Sequence, residues 1–194
     1  MEVDKKDEKA SRRRQLATAM LSTRDAIPAE VDGLKGRVFL GSVGAAYSRE
    51  SLKNFGITHV LAVGKGLEKK FEKDGIIYLK LNVVDQPKED LREQFPIAFD
   101  FINQALNSLS SHRVLVHCFQ GKSRSVTVVA AYLMRHLDLS FLEALETIRR
   151  TRPNAEPNLG FAAQLRSFDK AERERRTLRE QELHLRQGHP QIES

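Results

Sequence analysis

VLVHCFQGKSRSVTVVAAYL, residues 114–133, is the stretch on which the reading of this chain turns. Arg113–His117 is a short apolar, β-branched run of buried-strand length. Ser125–Leu137 is apolar on nearly every face, which predicts the central, buried helix of the domain. Only seven residues, Cys118 to Arg124, carry the chain from that strand into that helix.

On either side, strand and helix patterns alternate. Arg37–Val43, Thr58–Lys65 and Ile76–Val84 read as strands, and Tyr47–Gly56 as a short helix closed by its C-terminal Gly. Past the polar loop that opens at Asp85, Phe95, Phe99, Ile102 and Leu106 recur at helical spacing and predict a helix over Leu91–Ser110. Ser140–Pro153 predicts another, with Ser140 as N-cap and Glu143 completing a capping box. A last helix begins near Asn158 and runs into a charged tail, with Glu172/Arg176 and Glu182/Arg186 at i,i+4 until Gly188 and Pro190 stop it. Ala171, Leu178 and Leu185 recur every seven residues, but the complementary positions are charged, so the tail reads as a solvated helix rather than a coiled coil. The fold expected is α/β, a central, mostly parallel, twisted sheet of about five strands flanked by helices. The domain spans 28–170, between a charged segment at 1–27 and a helical extension at 171–194.

The loop between strand and helix has a chemistry of its own. A helix N-terminus presents unsatisfied N–H groups and partial positive charge, and a tight loop whose amides point inward makes a nest for a tetrahedral oxyanion. Phosphate fits such a nest. Gly121 gives the loop backbone freedom, and the planar fork of Arg124 holds two phosphate oxygens at once. The same field lowers the thiol pKa of Cys118 and favours the nucleophilic thiolate. Ser125, at the helix start, is placed to donate a hydrogen bond to the sulfur, and His117 to orient the loop rather than move protons. A leaving oxygen still needs a proton, and the loop holds no acid to supply it.

His-Cys, five residues, then Arg-Ser resembles the signature of cysteine-dependent protein tyrosine phosphatases, specifically the small dual-specificity phosphatases. RVFLGSVGAAYSRESLKNFGITHVLAVG resembles that family's opening, VVDQPKEDL its general-acid loop and RTRPNAEPNLGFAAQL its closing segment. HCFQGKSRSVT with FGITHVL is similar to the plant-type members. The resemblance implies that Cys118 is the nucleophile, Arg124 the phosphate clamp, Ser125 the hydroxyl that eases thiolate departure and Asp85 the general acid. Asp90 competes for the last role; Asp85 is preferred because it directly follows an apolar strand, whereas Asp90 reads as an N-cap. Phe119, Gln120, Gly121, Lys122, Ser123 and Arg124 would bind the substrate phosphate, and Asn158 would brace the loop or simply cap the last helix. No metal or other cofactor is implied, since Arg124 and the amides supply the electrostatics. A core of this size leaves room for a shallow pocket, which admits phosphoserine and phosphothreonine beside phosphotyrosine. Lys122 raises an alternative, a phosphoinositide or other multiply phosphorylated substrate; a phosphoprotein-binding scaffold without turnover is the other.

Composition narrows the remaining classes. One Cys in 194 residues excludes an internal disulfide and a multi-thiolate zinc site, and leaves a sulfenic acid or backbone sulfenamide as the reversible products of oxidation. Net charge is +6, but residues 1–14 carry six basic and four acidic groups and residues 169–194 six of each, so the excess is spread over the domain. With no Trp and no basic strip interleaved with aromatics, nucleic acid is not expected as a partner. No run approaches the ~20 apolar residues of a membrane span, and Met1–Arg14 lacks the apolar core of a signal peptide. The expected setting is the cytoplasm, with the nucleus possible, and the expected partners are phosphoproteins such as a MAP kinase. ASRRRQLATAML, with residues 11–21 at its centre, is a candidate calmodulin or kinase docking peptide, though a solvated end explains it as well.

Overall fold

Successive side chains of a strand point to opposite faces of its sheet, and the inner strands here are apolar at both parities, so both faces must be covered. The computed structural model describes residues 27–187. Five strands, β1 (Ala29–Glu30), β2 (Val38–Gly41), β3 (His59–Val63), β4 (Ile77–Leu81) and β5 (Val114–His117), form one sheet in the order β1-β2-β5-β3-β4. All neighbours are parallel except the short β1, which pairs antiparallel with β2. The register aligns Leu40, Val116 and Leu61 in one row and Phe39, Leu115 and Val60 in the next. The first row packs under α3 (Phe95–Ser108), α4 (Arg124–His136), α5 (Phe141–Thr151) and the 29-residue α6 (Leu159–Gln187). The second faces α1 (Val43–Ala46) and α2 (Arg49–Asn54), with Leu52, Ile57 and Ala45. Every residue of α4 from Arg124 to Met134 is buried, as its all-round apolar sequence requires. The capping box of α5 is present, with Ser140 and Glu143 bonded reciprocally.

Several boundaries differ from the sequence reading, each for a local reason. β2 stops at Gly41, short of the expected Val43, because Ser42 Oγ accepts from Gly44 N and starts α1; Ser48 likewise caps α2 through Ser51 N. The helix expected from Leu91 begins at Phe95, after a 3₁₀ turn over Arg92–Gln94, with Pro96 in its first turn. β4 ends at Leu81, so Asp85 does not directly follow a strand, and its position must be fixed by side chains. The tail helix forms but is not wholly solvated: Glu172 is 2% exposed and meets Arg135 Nη2 and Arg175 Nε, at 2.5 and 2.8 Å, while Arg176 Nε donates to its backbone carbonyl. The i,i+4 carboxylate pairing expected of Glu172 is thus replaced by a tertiary anchor to α4. Leu178 and Leu185 are exposed. The segment at 11–21 and the stop at Gly188 and Pro190 lie outside the described residues. Among those described, no helix is long and apolar enough to cross a membrane.

Candidate active site

Parallel strands gather their carboxyl ends on one edge of the sheet, where α/β proteins bind ligands. Here that edge brings Gly41 of β2, Gly64 after β3 and Cys118 after β5 to one place. Cys118 leaves β5 into a loop whose carbonyls are all drawn outward. Cys118 O accepts from His117 Nδ1 (3.2 Å), Phe119 O from Val43 N (3.0 Å), Gln120 O from Arg152 Nη2 (2.6 Å), Gly121 O from Arg152 Nε (2.5 Å) and Lys122 O from Glu156 N (2.8 Å). Outward carbonyls leave the amides facing the interior of the loop, which is the geometry of an anion nest. One of them, Gly121 N, donates to Cys118 Sγ at 3.2 Å. Gly121 is in the left-handed region at φ +64, and a Cβ there would stand 2.4 Å from Gly41 O, so only Gly serves.

Arg152 is a supporting residue that the sequence reading missed. It is 6% exposed and grips two consecutive carbonyls of the loop from behind. Pro153 disfavours helical backbone at Arg152, which leaves the helix at φ −134, ψ 80 as the C-cap of α5. In RTRPN nothing local distinguishes this Arg from any other cation at a helix C-terminus.

Cys118 is 1% exposed, and Ser125 Oγ donates to its sulfur at 3.2 Å. Burial alone pushes the thiol pKa up. The Arg124 charge, the Ser125 hydroxyl and the amides of Ser125 and Lys122 outweigh that and bring it below the ordinary thiol value. Arg124 is 7% exposed; its Nε lies 3.3 Å from Asp85 Oδ2 as an ion pair, yet that N–H is not directed at the oxygen and keeps no hydrogen-bond partner. Gly64 permits the close seating of this side chain, since a Cβ there would meet Arg124 Nη1 at 2.7 Å.

Asp85 reaches the site from a loop, held by its oxygen atoms. Ser123 Oγ and Asn158 Nδ2 both donate to Asp85 Oδ1 at 2.8 Å, and Ser123 Oγ in turn accepts from Asn158 N. Asn158 Oδ1 caps α6 through Phe161 N, so this one side chain both starts the last helix and fixes the acid. The Ser123 hydroxyl is accordingly turned to Asp85 and Asn158. Gly160 completes the seat: a Cβ there would lie 1.9 Å from Pro87 O, so the loop carrying Asp85 lies flush on the start of α6. Asp90 stands apart, chelated on the surface by Arg92, whose guanidinium holds its carboxyl below the usual range.

These groups line a cleft of about 430 Å³. Cys118 and Arg124 are at its floor, with Asp85, Ser123 and Asn158 on one wall and Phe119, Gln120, Lys122, Glu156 and Leu159 around the rest. Gly121, His117 and Ser125 support it from behind. Among the described residues no three or more His, Cys, Asp or Glu side chains gather as a metal site.

His117 gives a pH test of the support. It is fully buried, with Nε2 unpartnered, and because a carbonyl can only accept, Nδ1 carries the proton. Burial, with the Arg124 charge adding to it, depresses its pKa to about 4. Between the ordinary value near 6.5 and about 4, the unfolded chain binds a proton that the folded one refuses, so stability falls as pH falls through that window. His117→Gln removes this slope. Its stability deficit at neutral pH should shrink by roughly 3 kcal/mol toward pH ~4.5, read by urea denaturation at several pH values. A deficit independent of pH would show that the ring takes up its proton in the fold as readily as in the unfolded chain.

The chain is similar to known proteins over most of this length. A family model described as "Dual specificity phosphatase, catalytic domain" matches residues 38–171. Dual specificity protein phosphatase 1B of Arabidopsis thaliana is 43% identical over 134 residues, 69% of this chain and 78% of that one. Dual specificity protein phosphatase Mpk3 of Drosophila melanogaster is 41% identical over 142 residues, 73% of this chain but 34% of its own length. The crystal structure of human DUSP28 superposes with a TM-score of 0.67 at 33% identity, covering 74% of this chain and 93% of that one.

Proposed function

We propose, because the chain belongs to the dual specificity phosphatase family, whose members are cysteine-dependent hydrolases of phosphate monoesters, that Cys118, Arg124 and Asp85 are the groups that carry its reaction. In the first step the Cys118 thiolate attacks phosphorus, the P–O ester bond breaks, and the Asp85 carboxyl gives its proton to the departing oxygen. In the second, Asp85, now a carboxylate, takes a proton from a water whose oxygen attacks phosphorus, and the S–P bond breaks. The hydrogen bonds from Ser125 Oγ and Gly121 N to the sulfur stabilise the thiolate that is released. Arg124 and the inward amides hold the three equatorial oxygens, where negative charge is carried through both steps.

The observation that carries this reading is the loop from Cys118 to Lys122, whose five carbonyls are all engaged outside the cleft while its sulfur collects donors from within. The substrates are phosphoproteins carrying phosphotyrosine or phosphoserine/threonine, and a MAP kinase among them is supported by the Mpk name of the Drosophila relative. The test is steady-state hydrolysis of an aryl phosphate and of singly phosphorylated Tyr and Thr peptides in the presence of a chelator. Turnover of all three is expected to resist chelation, since charge stabilisation here comes from Arg124 and backbone dipoles. Phosphopeptide binding without turnover would overturn the assignment in favour of a reader of phosphoproteins.

A further inference from the structure

Lys122 belongs to the phosphate loop and is the second cation of the cleft, after Arg124. Left to itself it would receive a second phosphate. Its ammonium, however, is 2.6 Å from Glu156 Oε2, and Glu156 N donates to Lys122 O at 2.8 Å, so the two residues are tied at side chain and backbone together. The pair stands at the mouth, with 42% of the Lys122 and 65% of the Glu156 side chain exposed, within reach of whatever flanks a bound phosphoresidue. Hydrogen bonding and charge from Lys122 hold the Glu156 carboxyl below the ordinary range, which keeps it anionic at neutral pH. An exposed pair of this kind contributes little to stability. Its effect is on the field at the mouth, because clefts concentrate the potential of the charges that line them.

We propose that Glu156 is a specificity-determining residue, a charge filter that withdraws Lys122 from the substrate and disfavours any substrate with a second phosphate beside the one being removed. A neighbouring Lys or Arg is favoured instead, because the Glu156 carboxylate is largely exposed and only Oε2 meets Lys122. The filter rests on the phosphatase reading above and refines it: a doubly phosphorylated Thr-X-Tyr segment loses its first phosphate slowly and its second faster. It also disfavours the multiply phosphorylated substrates that Lys122 by itself suggests.

Three phosphotyrosine peptides test this, identical except that the position two residues before the phosphotyrosine is Lys, Thr or phosphothreonine. For the wild type, kcat/KM for loss of the tyrosine phosphate should fall in that order, by about three- to tenfold per step. Glu156→Gln should raise the phosphothreonine-to-threonine ratio by about five- to tenfold, and adding Lys122→Gln should remove that gain. Glu156→Lys should reverse the order. Ratios within one variant are insensitive to the fraction folded, so a partly unstable variant still reports. The same ratios in wild type, Glu156→Gln and Glu156→Lys would overturn the filter while leaving the phosphatase reading intact. Failure of the wild type to hydrolyse any of the three peptides would overturn both.

Discussion

Cys118→Ser should abolish turnover, by a factor on the order of 10⁴ or more on an aryl phosphate, while phosphopeptide binding is retained or tightened. The two halves of that outcome come from different parts of the loop. Attack requires an anion at position 118, and the dipoles and Arg124 charge that bring a thiol below its ordinary pKa fall far short of ionising an alcohol. Binding depends on Arg124 and on amides oriented by His117, Val43, Arg152 and Glu156, none of which contacts the Cys118 side chain in that role. Removing the thiolate also removes a negative charge from the floor of a site that receives a dianion. Steady-state rates and phosphopeptide titration on the two proteins measure both halves. Residual turnover within tenfold of wild type would show that another group attacks phosphorus, and lost binding would show that the sulfur is part of the nest.

What could be read in the sequence was whatever is local. The strand, the Cys, the seven-residue loop and the buried helix are contiguous, and so are the Ser140–Glu143 box and the unbroken apolar runs that fill both sheet faces. What escaped reading depends on contacts between distant residues. Arg152 meets its loop across 31 residues, and Asn158 meets Asp85 across 73. Glu172 looked like half of a solvated i,i+4 pair because Arg135, the partner against which it is buried, is on another helix. Asp85 was chosen for a strand that in fact ends at Leu81. Asp85 nevertheless lines the cleft, since Ser123 and Asn158 provide the rigidity that the strand was assumed to give. Gly160 carries no sequence signal of its own, because a glycine in the first turn of a helix reads as a minor loss of propensity until the chain it accommodates, at Pro87, is in view.

Asp85→Asn should separate the acid from its competitor by the leaving group it is asked to protonate. General acid catalysis contributes about 10²–10⁴-fold where the leaving oxygen is basic. A phosphotyrosine or phosphothreonine peptide should therefore lose roughly that factor in kcat/KM, whereas a nitrophenyl phosphate, whose phenolate departs without help, should lose far less. The variant's rates should fall steeply as leaving groups become more basic, where the wild type's fall gently. Asn keeps an oxygen to accept from Ser123 and Asn158, so the loop stays in place and what is lost is the proton and the ion pair to Arg124. Asp90→Asn should leave every one of these rates unchanged, because Arg92 keeps that carboxyl ionised on the surface and away from the cleft. Equal losses on nitrophenyl and peptide substrates in Asp85→Asn would mean that Asp85 positions Arg124 through their ion pair rather than donating the proton, and the acid would have to be sought elsewhere.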